Sequence, residues 1–536
     1  MKVPHWFSPN FRAEKITFFV FAVLYIAAIC IHDPWFDEMQ AWLIAKTASW
    51  HDLLFVLPHY EGHPPFFHLL LSLPARLGVP WQIGLRMFCA LSTLASAYLI
   101  LFKAPFARWI RLALPFTFFI FYEYGVLARP YNLMWLFVIG AAISFPKRTE
   151  KPLLFVFWLA LLSMCHLFGL AVAGGIAGVW LWEIRGIFGQ KKWYSDKRLW
   201  CLAGLLAFAI LILSWINPAQ QSAVREGANW LATVERFPSL LYILPGDVFL
   251  TDIYKAVAFP STFFYLLLEK LLMLTLQGLL WWILFSFLPK GKKEYILLPG
   301  MLLLFVMSFY VARHHIGIFG MVFLFAFWVS YADKTISVTP SMLAKKLGKW
   351  VVLIGLLVSI TWTACSVYHD IKYSSFPGKE VLSFLREHQL DKLHIMGAWC
   401  KAVDDGCKTN PQTSFNNFGA EFAFYANKNL IYNYNYGSDK LYRQFTYTTP
   451  EQKEYDFAQW RKIGLPDVVL SKADLDSLFE GENLLLTEYE VVYQIQIRLS
   501  WKMNIVEYYV DNIYVRKDLL KEHHLEPLED LLFVFG

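Results

Sequence analysis

The chain has 536 residues, of which 57% are hydrophobic, 18% aromatic and only 17% charged, with a mean hydropathy of +0.41. That balance excludes an ordinary soluble enzyme and points to a polytopic membrane protein. Its spans must be helices, because backbone polar groups in lipid have to be satisfied within each segment. The net charge of +6 is modest, and no nucleic-acid partner is expected.

The first apolar run, 16–32, is flanked by Lys2, Arg12 and Lys15 and is followed by no small-residue cleavage site, so it reads as a retained signal anchor. Further spans are expected near 82–102, 112–124, 130–145, 152–166, 167–184, 199–216, 262–288, 295–312, 317–332 and 350–368, about eleven in all. Lys and Arg collect in every second connector, at 103–111, 146–151, 185–198, 290–294 and 334–349. By the positive-inside rule these connectors and the N-terminus face the cytoplasm, and the C-terminus lies outside.

The first connector of opposite parity, 33–80, is too apolar for a free linker. Its stretches Trp50 to Leu57 and Phe66 to Leu71 predict helices lying in the interface. After residue 368 the hydropathy drops and acidic side chains outnumber basic ones. A helix over 379–386 and strands at 392–396, 468–470 and 490–493 predict a mixed α/β extracytoplasmic domain, 369–536, following a transmembrane domain, 1–368. Of seven cysteines, Cys30, Cys89, Cys165, Cys201 and Cys365 fall in or beside apolar runs and read as small core residues. Cys400 and Cys407 bracket a polar loop, where a disulfide would require an oxidising compartment. The run Tyr432 to Gly437 predicts a Tyr-rich edge strand, with a carbohydrate-stacking surface as the alternative.

The polar residues nearest the apolar runs fall in connectors of the outer parity: Asp37 and Glu38, Glu61 and His63, Glu123 and Arg129, His166, and Arg313 with His314 and His315. Ionisable groups at a membrane edge are costly to bury and face a cavity or a partner, so one shared site is the economical expectation. Carboxylates there can take a proton from an acceptor hydroxyl, and Arg and His can hold a phosphate as its charge grows. Each residue also has an ordinary reading. Asp33 before Pro34 starts a turn, His166 is a hydrogen-bonded helix end, and Arg129 and Arg313 snorkel. His59, Glu61, His63 and His68 raise the question of a metal, but their spacing matches no standard zinc pattern. No metal ligands are assigned, and a divalent cation stays open.

The order Asp37-Glu38 with Ala41 after the first span, then His63-Pro64-Pro65-Phe66, Ala128-Arg129-Pro130-Tyr131 and His166-Leu167-Phe168-Gly169, resembles the bacterial relatives of the dolichyl-phosphate-mannose protein mannosyltransferases and the lipid A aminoarabinose transferase, within the GT-C glycosyltransferase superfamily. The resemblance covers the membrane part. It implies a GT-C fold in the plasma (inner) membrane, a polyprenyl-phosphate sugar donor, a glycan, lipid or protein acceptor met outside, and inversion by single displacement. Carried over by motif, Asp37 is the catalytic base and Glu38 its neighbour, orienting the acceptor or tuning the base. Arg129 and Arg313, with His314, contact the donor phosphate. Glu61, His63, Glu123 and His166 are further site candidates, although Glu123 has no counterpart in the relatives' pattern. The competing reading is a transporter or flippase of lipid-linked sugars. Such proteins place polar groups at the bilayer midplane and carry internal repeats, whereas these charges sit at outer ends and no repeat is evident.

Overall fold

A computed structural model describes residues 11–220, 240, 244–250, 263–289, 291–310, 312–332, 340–373, 376–397, 413–432, 434, 440–443, 462, 464–471 and 488–528. The Cys400 to Cys407 loop, most of the expected loop 217–260 and most of the Tyr432 to Gly437 run lie outside the described residues.

The longer helices are α1 (Arg12–Ile31), α2 (Phe36–Thr47), α3 (Phe66–Arg76), α4 (Met87–Lys103), α5 (Tyr131–Ser144), α6 (Pro152–Cys165), α7 (Leu167–Glu183), α8 (Lys197–Trp215), α9 (Phe263–Ser286), α10 (Glu294–Phe309), α11 (Ile318–Ala332), α12 (Met342–Lys372), α13 (Gly378–Glu387) and α14 (Thr413–Ala426). Among the described residues, five stretches are long and apolar enough to cross a membrane: Arg12–Ile31, Trp81–Lys103, Lys197–Trp215, Arg313–Ala332 and Met342–Lys372. Shorter apolar helices include Pro152–Cys165, Leu167–Glu183, Lys270–Ser286 and Glu294–Phe309. The protein is thus largely an α-helical bundle with membrane-spanning capacity, and a strand-containing region follows its last long apolar helix.

The contacts divide the chain into two compact units that are interleaved in sequence. One is Met1–Cys30, Leu54–Leu70 and Gln82–Val367; the other is Ile31–Leu53, Leu71–Trp81 and Tyr368–Gly536. In the first, α7 packs on α6 and α10, α5 on α6, and α11 on α5 and α10. Helices α7 and α10 touch backbone to backbone: a Cβ on Gly175 would lie 2.3 Å from the Pro299 Cα, so only glycine permits that approach.

The expected span 112–124 is not one α-helix. A turn at Arg108–Ala113 gives way to a 3₁₀ turn at Leu114–Phe116 and then to a π-helix at Phe119–Val126. Pro115 has no N–H to continue the ladder, Thr117 is extended with ψ 150°, and the polar groups of the residues flanking Thr117 turn to the last long helix. The Thr363 hydroxyl donates to the Phe116 carbonyl at 2.9 Å, and the Ser359 hydroxyl accepts from the Phe118 N–H at 3.0 Å. A broken backbone inside an apolar bundle persists when neighbouring Ser and Thr side chains re-satisfy it in this way.

In the second unit four strands, β1 (Ile395–Gly397), β2 (Val468–Ser471), β3 (Tyr489–Trp501) and β4 (Asn504–Arg516), form one sheet in the order β1-β2-β4-β3. The β1–β2 pair is parallel and the other two pairs are antiparallel. Val381, Leu382 and Leu385 of amphipathic α13 join Val468, Leu470, Ile513 and Val515 of the sheet in an apolar core, against which Phe36 packs. Residues 31–53 belong here because α2 lies on α14, and because the Gln40 amide exchanges hydrogen bonds with the Arg443 backbone, donating to its carbonyl at 2.5 Å and accepting from its N–H at 3.2 Å.

Candidate functional site

Three helices of the first unit carry polar clusters at both of their ends. Helix α5 starts just after Arg129, α7 starts just after His166, and α10 ends shortly before Arg313. At their other ends, Glu183 receives Arg148 at 2.7 Å and Lys292 at 3.1 Å. These helices have 14, 17 and 16 residues, which at 1.5 Å per residue separates the clusters by about 21–26 Å. A second ion-paired group lies at the start of α1, where buried Glu14 accepts from Arg108 at 2.9 Å and Arg111 at 3.2 Å.

The other end is built of imidazoles. Gly62 closes the short helix Pro58–Glu61 with φ 69°, a left-handed turn that glycine adopts at no cost, and so turns His63 inward. His63 is 6% exposed and lies ring to ring with His68 at 5.3 Å and with His166 at 5.8 Å. His166 is 5.9 Å from His315, which is 4.1 Å from His314. Buried Tyr131, in the first turn of α5, is the hub, with ring centroids 5.6 Å from His166 and 5.9 Å from both His314 and His315.

Two of these histidines also hold backbone. As N-cap of α7, His166 accepts from the Phe168 N–H at 3.2 Å through Nδ1, and the His315 Nδ1 accepts from the Ala312 N–H at 2.9 Å. In each case the proton of a neutral ring then sits on Nε2, since an accepting nitrogen carries none. Half-buried Arg129 acts electrostatically on all five rings. Burial first, and then this guanidinium, hold His63 down to about 4. His68 is pushed well below the ordinary histidine range by burial, with neighbouring His63 and Arg129 adding to it. The cluster is a set of ring N–H donors and nitrogen acceptors beside the Arg129 guanidinium, with the Glu61 carboxylate at its His63 edge and the partial positive ends of α5 and α7 beside it. Such a set can bind an anion or a cation.

Glu61, His63 and His68 place one ligand atom each within 4.8 Å of one another, a group that could hold a divalent cation. The His63 Nε2 is 3.9 Å from the Glu61 carboxylate. Their sequence spacing hides this because the Gly62 turn separates Glu61 from His63 and α3 carries His68. His59 lies apart from the trio, with its Nδ1 2.6 Å from the Asn217 carbonyl. Of the other residues singled out by sequence, Glu123 is buried on the π-helix next to Tyr124, whose hydroxyl donates to the His314 carbonyl. His314 is half-buried, and Arg313 is exposed.

Asp37 and Glu38 belong to the second unit, in the first turn of α2. Asp37 is half-exposed. Glu38 is fully buried; its carboxylate accepts from the Trp35 N–H at 2.7 Å and lies 3.0 Å from His32. The sequence places His315 in the shared outer site and Tyr131 in the Ala128-Arg129-Pro130-Tyr131 motif without a role of its own, and it points to no role for His32 or Asp370. For His315 and Tyr131 the signal was present, in a His-His pair and in the Arg-Pro-Tyr string; for the His32–Asp370 contact there was none.

No family model, curated protein or solved structure matches the chain.

Proposed function

We propose that this protein is an integral-membrane, inverting glycosyltransferase of the GT-C type that moves a sugar from a polyprenyl phosphate to a glycan, lipid or protein acceptor on the outer face of the plasma (inner) membrane. The observation that carries the reading is the cluster of mostly buried imidazoles with half-buried Arg129 at the N-termini of α5 and α7. Packing alone would favour apolar residues there, because burying imidazoles costs desolvation. A guanidinium ringed by neutral N–H donors suits a phosphate that must leave with its charge compensated.

The role of Asp37 comes from the resemblance in sequence: it would take the proton of the acceptor hydroxyl as that oxygen bonds to the anomeric carbon from the face opposite the phosphate. The bond from the anomeric carbon to the phosphate oxygen breaks, and the polyprenyl phosphate departs with the electron pair. Arg129 and His314, with Arg313 nearer solvent, receive the growing negative charge. Glu61, His63 and His68 would hold a divalent cation, which when bound would supply positive charge to stabilise a phosphate leaving group.

The membrane orientation has its own support. Glu183, at the end of α7 next to a basic connector, pairs with Arg148 and Lys292 from two other connectors of the basic parity. His63, Tyr131, His166 and His314 lie in or at the helix ends beside connectors of the opposite parity, and His166 links to His63 and Tyr131, which meets His314. Chain parity and three-dimensional clustering agree, which favours a cytoplasmic N-terminus and an extracytoplasmic C-terminal region.

The test is to reconstitute the purified chain in vesicles with a panel of radiolabelled polyprenyl-phosphate sugars and an envelope extract as acceptor. Label leaving the polyprenyl lipid for a new acceptor is the expected result. Label that stays on the lipid while the lipid changes leaflet would replace the transferase with a flippase.

A further inference from the structure

Directly after α1, His32 is 7% exposed and has a carboxylate on each ring nitrogen. Its Nδ1 is 2.9 Å from Asp370 in the last turn of α12, and its Nε2 is 3.0 Å from Glu38 in the first turn of α2. Two ionised carboxylates can only accept, so both nitrogens must carry protons and the ring is an imidazolium. Burial opposes that charge, but Asp370 and Glu38 outweigh it and lift the group to about 10. The three charges sum to one net negative. The amide end of α2 compensates it, with the Trp35 N–H bonded to the same Glu38 oxygen at 2.7 Å.

We propose that His32 is a positioning residue for Asp37: its imidazolium clamps Glu38 to Asp370, fixing the first turn of α2 so that Asp37, and not Glu38, is the carboxylate that meets the acceptor. The inference rests on the reading of Asp37 as the base. Phe36 is seated against the apolar core of the unit, and Glu38 is held by His32 and the Trp35 N–H. Successive helical residues are about 100° apart, so fixing positions 36 and 38 fixes the direction of Asp37 between them. Glu38 has no exposed surface from which to reach a substrate, whereas Asp37 is half-exposed. The acidic pair therefore divides into a base and an anchor, and the anchor's charge is neutralised from within the protein. Beside Asp370 on α12, His369 and Lys372 carry the remaining titratable groups of that turn.

The experiment is carbodiimide coupling of glycine ethyl ester to the full-length protein in detergent. Peptide mass spectrometry reads Asp37, Glu38 and Asp370 across pH 5 to 8. In the native chain Glu38 and Asp370 label at least about tenfold more slowly than Asp37. His32→Gln raises Glu38 and Asp370 labelling about tenfold, because both carboxylates have lost the ring that occupies them. His32→Arg, which keeps the charge, restores the protection of Glu38. Unchanged labelling in His32→Gln overturns the clamp. If that variant does not fold, Asp370→Asn decides: loss of Glu38 protection supports the clamp, and native-like protection refutes it. Labelling is read without turnover, so a negative transfer assay and a negative labelling result contradict different statements.

Discussion

The two ends of α5, α7 and α10 use the same helices for opposite purposes. At one end Glu183 is closed on Arg148 and Lys292, so every charge has an opposite neighbour and the group does no more than tie three helix ends together. At the other end His166, His314 and His315 surround Tyr131, His63 and His68 continue the cluster from His166, and the Arg129 charge acts on all five rings, although apolar side chains would pack more cheaply. One end is an ion-paired group that ties helices together. The other is a cluster of imidazoles around a guanidinium, a chemistry suited to ligands as well as to packing.

The contrast can be broken by substitution at either end. Arg129→Ala should lower sugar transfer by about 10²–10³, the usual cost of removing one donor to a developing oxyanion, while the melting temperature in detergent stays within a few degrees. A comparable loss of transfer in Glu183→Gln would erase the distinction between the ends.

A second contrast lies in pH. His32 is lifted from an unfolded value near 6.5 to about 10, so its contribution is complete below about pH 6.5 and is lost as pH rises through 10. Unfolding measured from pH 6.5 to 10.5 should show the native chain losing of order 3 kcal/mol over that window. His32→Gln should be nearly flat across it, and a native chain equally flat would contradict the imidazolium. At the histidine end, the smaller expected effect is on metal: His63→Ala should lower the divalent-ion content of chelator-free preparations about tenfold or more, measured by elemental analysis. Equal content in both would remove the ion from the Glu61–His63–His68 group. Smallest of all, Glu183→Gln should cost about 1–2 kcal/mol of stability, since Glu183 and Arg148 keep access to solvent and only Lys292 is left buried without its carboxylate, and should leave transfer within about twofold of native.

How much of this was legible in the sequence depended on the range of the physics involved. Apolar runs and basic connectors are local, and they marked α1 and α4 to α11 to within about five residues, whereas α12 starts eight residues before the expected 350, inside a stretch read as basic connector. The helix at 378–387 and the strands near 395, 468 and 490 followed from local periodicity in the same way. The run 112–124 misled because hydropathy does not register that Pro115 breaks the ladder, or that Ser359 and Thr363, more than 240 residues away, repair it. For the candidate site, residue type and connector parity picked out His63, Arg129, His166 and His314, but not the arrangement. Tyr131 as hub, the metal-binding potential of Glu61, His63 and His68 across the Gly62 turn, and the His32–Asp370 contact 338 residues apart are properties of packing. The acidic pair was read as one feature; the burial of Glu38 beside half-exposed Asp37 divides it.

The most direct test of sugar transfer compares the native chain with Asp37→Asn in the same vesicles, following radiolabel from polyprenyl phosphate to acceptor and checking that both proteins melt alike. The account predicts transfer by the native chain and a loss of about 10²–10⁴ in the variant, the range expected for a missing general base. Equal transfer by the two folded proteins, or label that never leaves the lipid with either, would contradict it.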